Sequence, residues 1–104
     1  MEDGYTYLWE FEVRPEHQVK FEKHYGRDGA WARLFRQSND YIETILLKDI
    51  SIPGRYITLD RWRSKAAYLA FRSTFATQYI QLDNKFEQLT FRESPFGQYS
   101  EQIT

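Results

Sequence analysis

The stretch "LDRWRSKAAYLAFRS", Leu59 to Ser73, changes its hydrophobic period within three residues. Up to Trp62 the chain alternates. Tyr56, Thr58, Asp60 and Trp62 share one face, and Arg55, Ile57, Leu59 and Arg61 share the other. Ser64 then stands where a helix N-cap belongs, because its hydroxyl can accept a backbone N–H of the first turn. Beyond it Tyr68, Phe71, Phe75, Tyr79, Leu82, Phe86 and Leu89 recur at spacings of three and four, a helical stripe. A period of two that gives way at once to 3.6 predicts a strand feeding straight into an amphipathic helix. "RSTFAT" holds poor helix formers, and Ser73 is placed to cap a restart, so a break is expected there.

The same logic organises the rest. Tyr5, Tyr7, Trp9, Phe11 and Val13 alternate with Thr6, Leu8, Glu10 and Glu12, which predicts a first strand with a buried odd face. Pro15 and Glu16 suit a helix start. Phe21 and Tyr25 form an i, i+4 pair on that helix. "GRDG" at 26–29 interrupts it, and Asp28 is a candidate cap for a second short helix with Trp31, Leu34 and Phe35 on one face. "YIETILLKD" predicts a strand with apolar residues on both sides: Ile42 and Leu46 on one, Ile45 and Leu47 on the other. Such a strand needs cover on both faces. Thr90 to Glu93 predicts a short last strand, after which Pro95 and Gly97 release a polar tail.

The predicted order is strand, helix, strand, strand, helix, strand. Two such units fold into one antiparallel sheet with helices on one face, the ferredoxin-like split arrangement of an α+β domain. At 104 residues the chain fits one domain, 1–104, with a core from Tyr5 to about Tyr99. Eight Tyr, eight Phe and three Trp exceed what one small core needs, since each ring covers roughly 150–250 Å². An oligomer interface, a pocket or both are expected.

A net charge of -1 argues against nucleic acid as a partner, and no polybasic patch or apolar run of about 20 residues argues for a membrane. The N-terminal "MEDGYTYLWEF" has no signal-peptide pattern. Without cysteine there is no disulfide, thiolate metal site or Cys nucleophile, and a cytoplasmic setting fits. No glycine-rich phosphate loop and no nucleophile elbow are present.

"YLWEFEVRPE", "GAWARLFRQS" and "PGRYITLDRWRSKAAYLAF" together resemble the antibiotic biosynthesis monooxygenase-like family, over roughly Tyr5 to Tyr99. That resemblance implies a dimeric α+β barrel in which the sheets of two subunits face each other, with a pocket between each sheet and its helices. It further implies cofactor-free oxygenases that oxidise polycyclic phenols to quinones, so that no cofactor or metal is called for. The partners would be a second copy of the chain, a small aromatic molecule and dioxygen. Haem-degrading relatives use an Asn on the first strand and a Trp and a His on the second helix. Here those positions align by eye with Trp9, Phe71 and the neighbourhood of Tyr79 or Gln81, which argues against haem degradation.

A cofactor-free oxygenase needs a base, a dry apolar pocket and donors for developing negative charge. The candidate catalytic residues are His24, Tyr68 and Arg72. The candidate substrate walls are Trp9, Phe11, Trp31, Phe35, Phe71, Phe75 and Tyr79. Each has a plainer reading. A helical aromatic stripe serves a core whether or not anything binds, and His24 beside Gly26 can be a solvated or capping residue. His17 and His24 lack a third ligand for a metal. Glu10 and Glu12 are expected to face solvent or a dimer cavity and pair with Arg55 or Arg61 of a neighbour. The alternative to an enzyme is a non-catalytic dimeric small-molecule-binding or stress-associated module.

Overall fold

A computed structural model describes residues 3–102. Four strands form one antiparallel sheet: β1 (Tyr5–Val13), β2 (Tyr41–Lys48), β3 (Arg55–Trp62) and β4 (Thr90–Ser100), in the order β2-β3-β1-β4. Between β1 and β2 lie a 3-10 turn (Pro15–His17), α1 (Gln18–Tyr25) and α2 (Ala30–Phe35). Between β3 and β4 lie α3 (Lys65–Thr74), α4 (Ala76–Phe86) and a second 3-10 turn (Glu87–Leu89). This is the expected α+β ferredoxin-like order.

All four helices pack on the face formed by the odd residues of β1 and the even residues of β3. Phe21 of α1 stacks on Tyr25 at 4.1 Å and meets Phe11 and Tyr56. Phe35 of α2 and Phe71 of α3 close on Trp62, at ring separations of 5.5 and 5.1 Å. Trp62, Tyr56, Phe21 and Phe86 are almost completely buried and form the centre of the core. Gly54 joins β3 to its loop at φ +81, a backbone region that favours glycine, and its carbonyl accepts the Val13 N–H at 2.7 Å.

Ser64 caps α3 as expected, accepting the Ala67 N–H at 3.1 Å. The break predicted in "RSTFAT" falls at Phe75 (φ -109, ψ 29), but no side chain caps α4, so Ser73 does not serve there. Asp28 does not cap α2 either. Gly29 holds the N-cap position, while Asp28 turns outward to pair with Arg36 at 2.9 Å. Glu10 and Glu12 find their partners within the chain: Glu10 pairs with Arg55 at 2.7 Å, and Glu12 with Arg92 at 3.5 Å.

Two departures change faces. β4 does not stop at Glu93 but runs to Ser100, so the predicted polar tail is sheet. Pro95 is tolerated because β4 is an edge strand and Pro95 sits beside a register shift opposite Trp9. In β2, Tyr41 pairs with Trp62 and Glu43 with Arg61, which leaves Ile42 as a bulge. The extra residue reverses the alternation, so Tyr41 and Thr44 lie on the helix face and Glu43 on the other. Ile42 is thereby pushed outward instead of sharing a face with Leu46.

The outer face of the sheet carries no helix. Its middle row is Ile45, Leu59 and Leu8, with Ile57 and Leu47 beside it. Ion pairs flank this apolar strip: Arg55 with Glu10 and Asp49 at one end, Arg61 with Glu43 and Glu101 at the other. None of the helices is long and apolar enough to cross a membrane.

Candidate active site

Packing stops short of filling the space between sheet and helices. A cavity of about 260 Å³ remains, running along β1 past Tyr7, Trp9 and Phe11. Four residue steps along the strand, from Tyr7 to Phe11, span about 13 Å. Tyr7 and Trp9 are only half-buried although they belong to the inner face, because the cavity lies over them.

Helices supply the opposite wall. Trp31 and Phe35 come from α2, Tyr68 and Arg72 from α3, and Tyr79 from α4; Tyr25 closes one end. The aromatic contacts fix the wall geometry. Tyr68 stacks on Tyr7 at 5.5 Å, and Trp31 meets Tyr79 edge-on at 4.9 Å. Of the walls expected from sequence, Trp9, Phe11, Trp31, Phe35 and Tyr79 line this cavity. Phe71 and Phe75 do not: Phe71 is packed among Phe35, Trp62 and Phe75.

The polar candidates separate in the same way. Arg72 lies over the Tyr79 ring, 3.8 Å from its centroid, and donates to the Tyr68 hydroxyl at 3.0 Å. Its other N–H groups have no hydrogen-bond partner, and no carboxylate pairs with it among the described residues. Both Tyr68 and Arg72 line the cavity. His24 does not. Its ring stacks on Phe86 at 4.4 Å with Nδ1 buried and unpartnered. Burial, and then the nearby Lys23, Lys20, Lys85 and Arg33, hold its pKa below the ordinary value.

The group that sequence reasoning missed is Asp60. It sits on β3 directly opposite Tyr7 on β1 and opposite Thr44 on β2. The residue is half-buried at the cavity floor, and desolvation pushes its pKa up to about 7, partly countered by a hydrogen bond from Thr44 Oγ1 at 2.7 Å. Among the described residues the one cation on the cavity wall is Arg72. The signal was available: an aspartate alternating with Tyr56, Thr58 and Trp62 on a face predicted to be buried. The partner that makes it useful was not, because only the pairing of β2 with β3 sets Thr44 beside it, and only the bulge at Ile42 brings Tyr41 onto the same face.

Four neighbouring phenols, those of Tyr5, Tyr7, Tyr41 and Tyr79, stay protonated. Burial and the neighbouring Tyr68 raise the pKa of Tyr5 to about 12, and burial does the same for Tyr41. Tyr7 and Tyr79 are raised by burial as well. At the far end of the cavity Asp83 and Glu93 line the rim, and burial followed by repulsion from Asp83 and Glu87 raises the Glu93 pKa. Among the described residues no group of three or more His, Cys, Asp or Glu is arranged to hold a metal ion. The arrangement offers a near-neutral carboxyl at one end of an aromatic slot and an unpaired guanidinium on the opposing wall.

Solved structures share this fold across the whole chain. A candidate antibiotic biosynthesis monooxygenase of Bordetella bronchiseptica superposes with a TM-score of 0.73 at 19% identity, covering 99% of each chain. One from Nitrosomonas europaea gives 0.73 at 11% identity, covering 99% of this chain and 94% of the other. SnoaB of Streptomyces nogalater, a cofactor-independent oxygenase, gives 0.71 at 15% identity, covering 98% and 96%. No curated protein matches the sequence. The sequence itself matches the antibiotic biosynthesis monooxygenase family over residues 5–81, most of the span from β1 into α4 that builds the sheet and the helical wall, and the chain belongs to that family.

Proposed function

We propose that this protein is a monooxygenase that takes an aromatic phenol or enolisable ketone into the slot and draws the reducing electrons from the substrate itself. The observation that carries the reading is the Asp60 carboxyl facing an aromatic cavity across from Arg72. A base titrating near neutrality is matched to removing a phenolic or α-keto proton. Asp60 takes that proton and leaves an electron-rich anion. Arg72, braced by Tyr68 and Tyr79, stabilises the negative charge as it develops on the substrate oxygen. Dioxygen accepts electrons from the carbanion form and bonds to that carbon. The O–O bond then breaks, leaving a carbonyl on the ring and releasing the second oxygen as water. In sum, a CH2 and O2 become C=O and H2O, which balances without an external reductant.

The family membership and the likeness to a cofactor-independent oxygenase support this chemistry. The helix-free outer face, with its strip of Leu8, Ile45, Ile57 and Leu59 between ion pairs, supports a homodimer closed sheet to sheet. The deciding experiment is oxygen consumption with a panel of polycyclic phenols. Uptake that needs the phenol and falls at least a hundredfold in Asp60→Asn supports the reading. Tight binding of those phenols with no uptake would leave a small-molecule-binding module in its place.

A further inference from the structure

We infer that Tyr41 and Thr44 are positioning residues that tie one oxygen of Asp60 to the cavity wall and leave the other oxygen free for the ligand. This rests on the reading of Asp60 as the base.

The geometry is directional. Thr44 has one hydroxyl proton, and when Asp60 is ionised the 2.7 Å bond to its Oδ1 uses it, because a carboxylate only accepts. The 2.6 Å contact between Thr44 and Tyr41 must therefore be donated by Tyr41. The result is a chain from Tyr41 through Thr44 to Asp60 in which each bond polarises the next. It exists only because of the bulge at Ile42, which brings residues three apart onto one face. Asp60 Oδ2 has no hydrogen-bond partner among the described residues, yet it is not among the buried unpartnered atoms, so the cavity reaches it. Other groups lie near the carboxyl without bonding it: Tyr7 from β1 and Tyr79 from α4 feel its charge, while Tyr68 and Arg72 from α3 line the same cavity. Arg36, just after α2, and Glu43 of β2 act on Tyr41. The Thr44 bond is the one hydrogen bond to the carboxyl among the described residues, and it fixes the rotation that leaves one oxygen toward the cavity.

The test is a carboxyl-carbon NMR titration of the full chain, with Asp60→Asn assigning the resonance. In wild type the Asp60 midpoint is expected near 7. Thr44→Val should raise it by about one pH unit or more, since the lost bond favoured the charged form. Tyr41→Phe should raise it by a smaller step, and Thr44→Ser should restore it to within a few tenths. A midpoint that ignores both Thr44→Val and Tyr41→Phe overturns the inference, as does a shift in Thr44→Ser equal to that in Thr44→Val. If Thr44→Val does not fold, the nearly isosteric Tyr41→Phe decides alone. The titration needs no substrate, so a relay that titrates as expected in a protein without oxygen uptake would sink the oxygenase and keep the relay. Oxygen uptake that survives Asp60→Asn would instead remove Asp60 as the base.

Discussion

Tyr41 and Thr44 stand three residues apart on β2, and their hydroxyls meet at 2.6 Å. In a regular strand they would point to opposite faces. Ile42 is the residue that makes the contact possible, and its side chain is 40% exposed. Deleting Ile42 should therefore keep both residues on the helix face and cost no more than about 2 kcal/mol. Deleting Ile45 lies below the bulge and turns Tyr41 and Thr44 away from the face that Leu46 keeps; it should abolish cooperative folding. Urea unfolding of the two deletions, followed by circular dichroism, separates the cases.

Asp60 links the site to stability. Its folded pKa of about 7 lies above the ordinary 3.8. The folded state therefore binds this proton more tightly than the unfolded chain does. The stability tied to the proton is fully present below the unfolded value and is lost as pH rises through about 7. The shift corresponds to roughly 4 kcal/mol across that window. Asp60→Asn should accordingly be more stable than wild type at pH 8, by up to that order, and nearly equal to it at pH 4. Denaturation at the two pH values measures this, and a variant that is less stable at pH 8 would contradict it.

Aromatic residues of the core and of the cavity should respond differently. Trp62 is fully buried against Phe35, Tyr41, Tyr68 and Phe71, and Trp62→Ala should cost about 3–5 kcal/mol. Trp9 is half-buried on the cavity wall, so Trp9→Ala should cost only about 1–2 kcal/mol. It should, however, weaken binding of a polycyclic phenol at least tenfold in a fluorescence titration.

Among the described residues Ser64 is the one side-chain helix cap in the fold's second half. Ser64→Ala should remove about 1 kcal/mol and lower the melting temperature by roughly 4–8 °C. Ser73→Ala, which touches no cap, should leave the melting temperature within about 1 °C.

The outer face predicts an assembly. Leu59 lies in the centre of its apolar strip, between Ile45 and Leu8. Leu59→Arg should turn a dimer into a folded monomer, read by native mass spectrometry together with circular dichroism. A wild-type monomer at micromolar concentration would remove the dimer.

Much of this architecture is written in local pattern. The alternation of β1 and β3, the period switch at Ser64 and the i, i+4 aromatic pairs set element type and inner face, because side-chain direction follows backbone period. The same patterns named Trp9, Phe11, Trp31, Phe35, Tyr79, Tyr68 and Arg72, which do line one cavity. They could not separate these from Phe71 and Phe75, which share the stripe but turn into the core, nor place His24, which lies against Phe86. A stripe records which residues avoid water, not which stop touching each other where packing fails.

The sequence by itself determined the order of strands and helices, the cap at Ser64, the break before α4 and the aromatic character of the space between sheet and helices. Tertiary structure alone decided the extent of β4, the inward turn of Tyr41 and the standing of Asp60 as a near-neutral carboxyl. The reason is that these three depend on neighbours remote in sequence. A strand continues past Pro95 because β1 is there to pair with it, a bulge is visible only against a partner strand, and a carboxyl's affinity for its proton is set by everything packed around it.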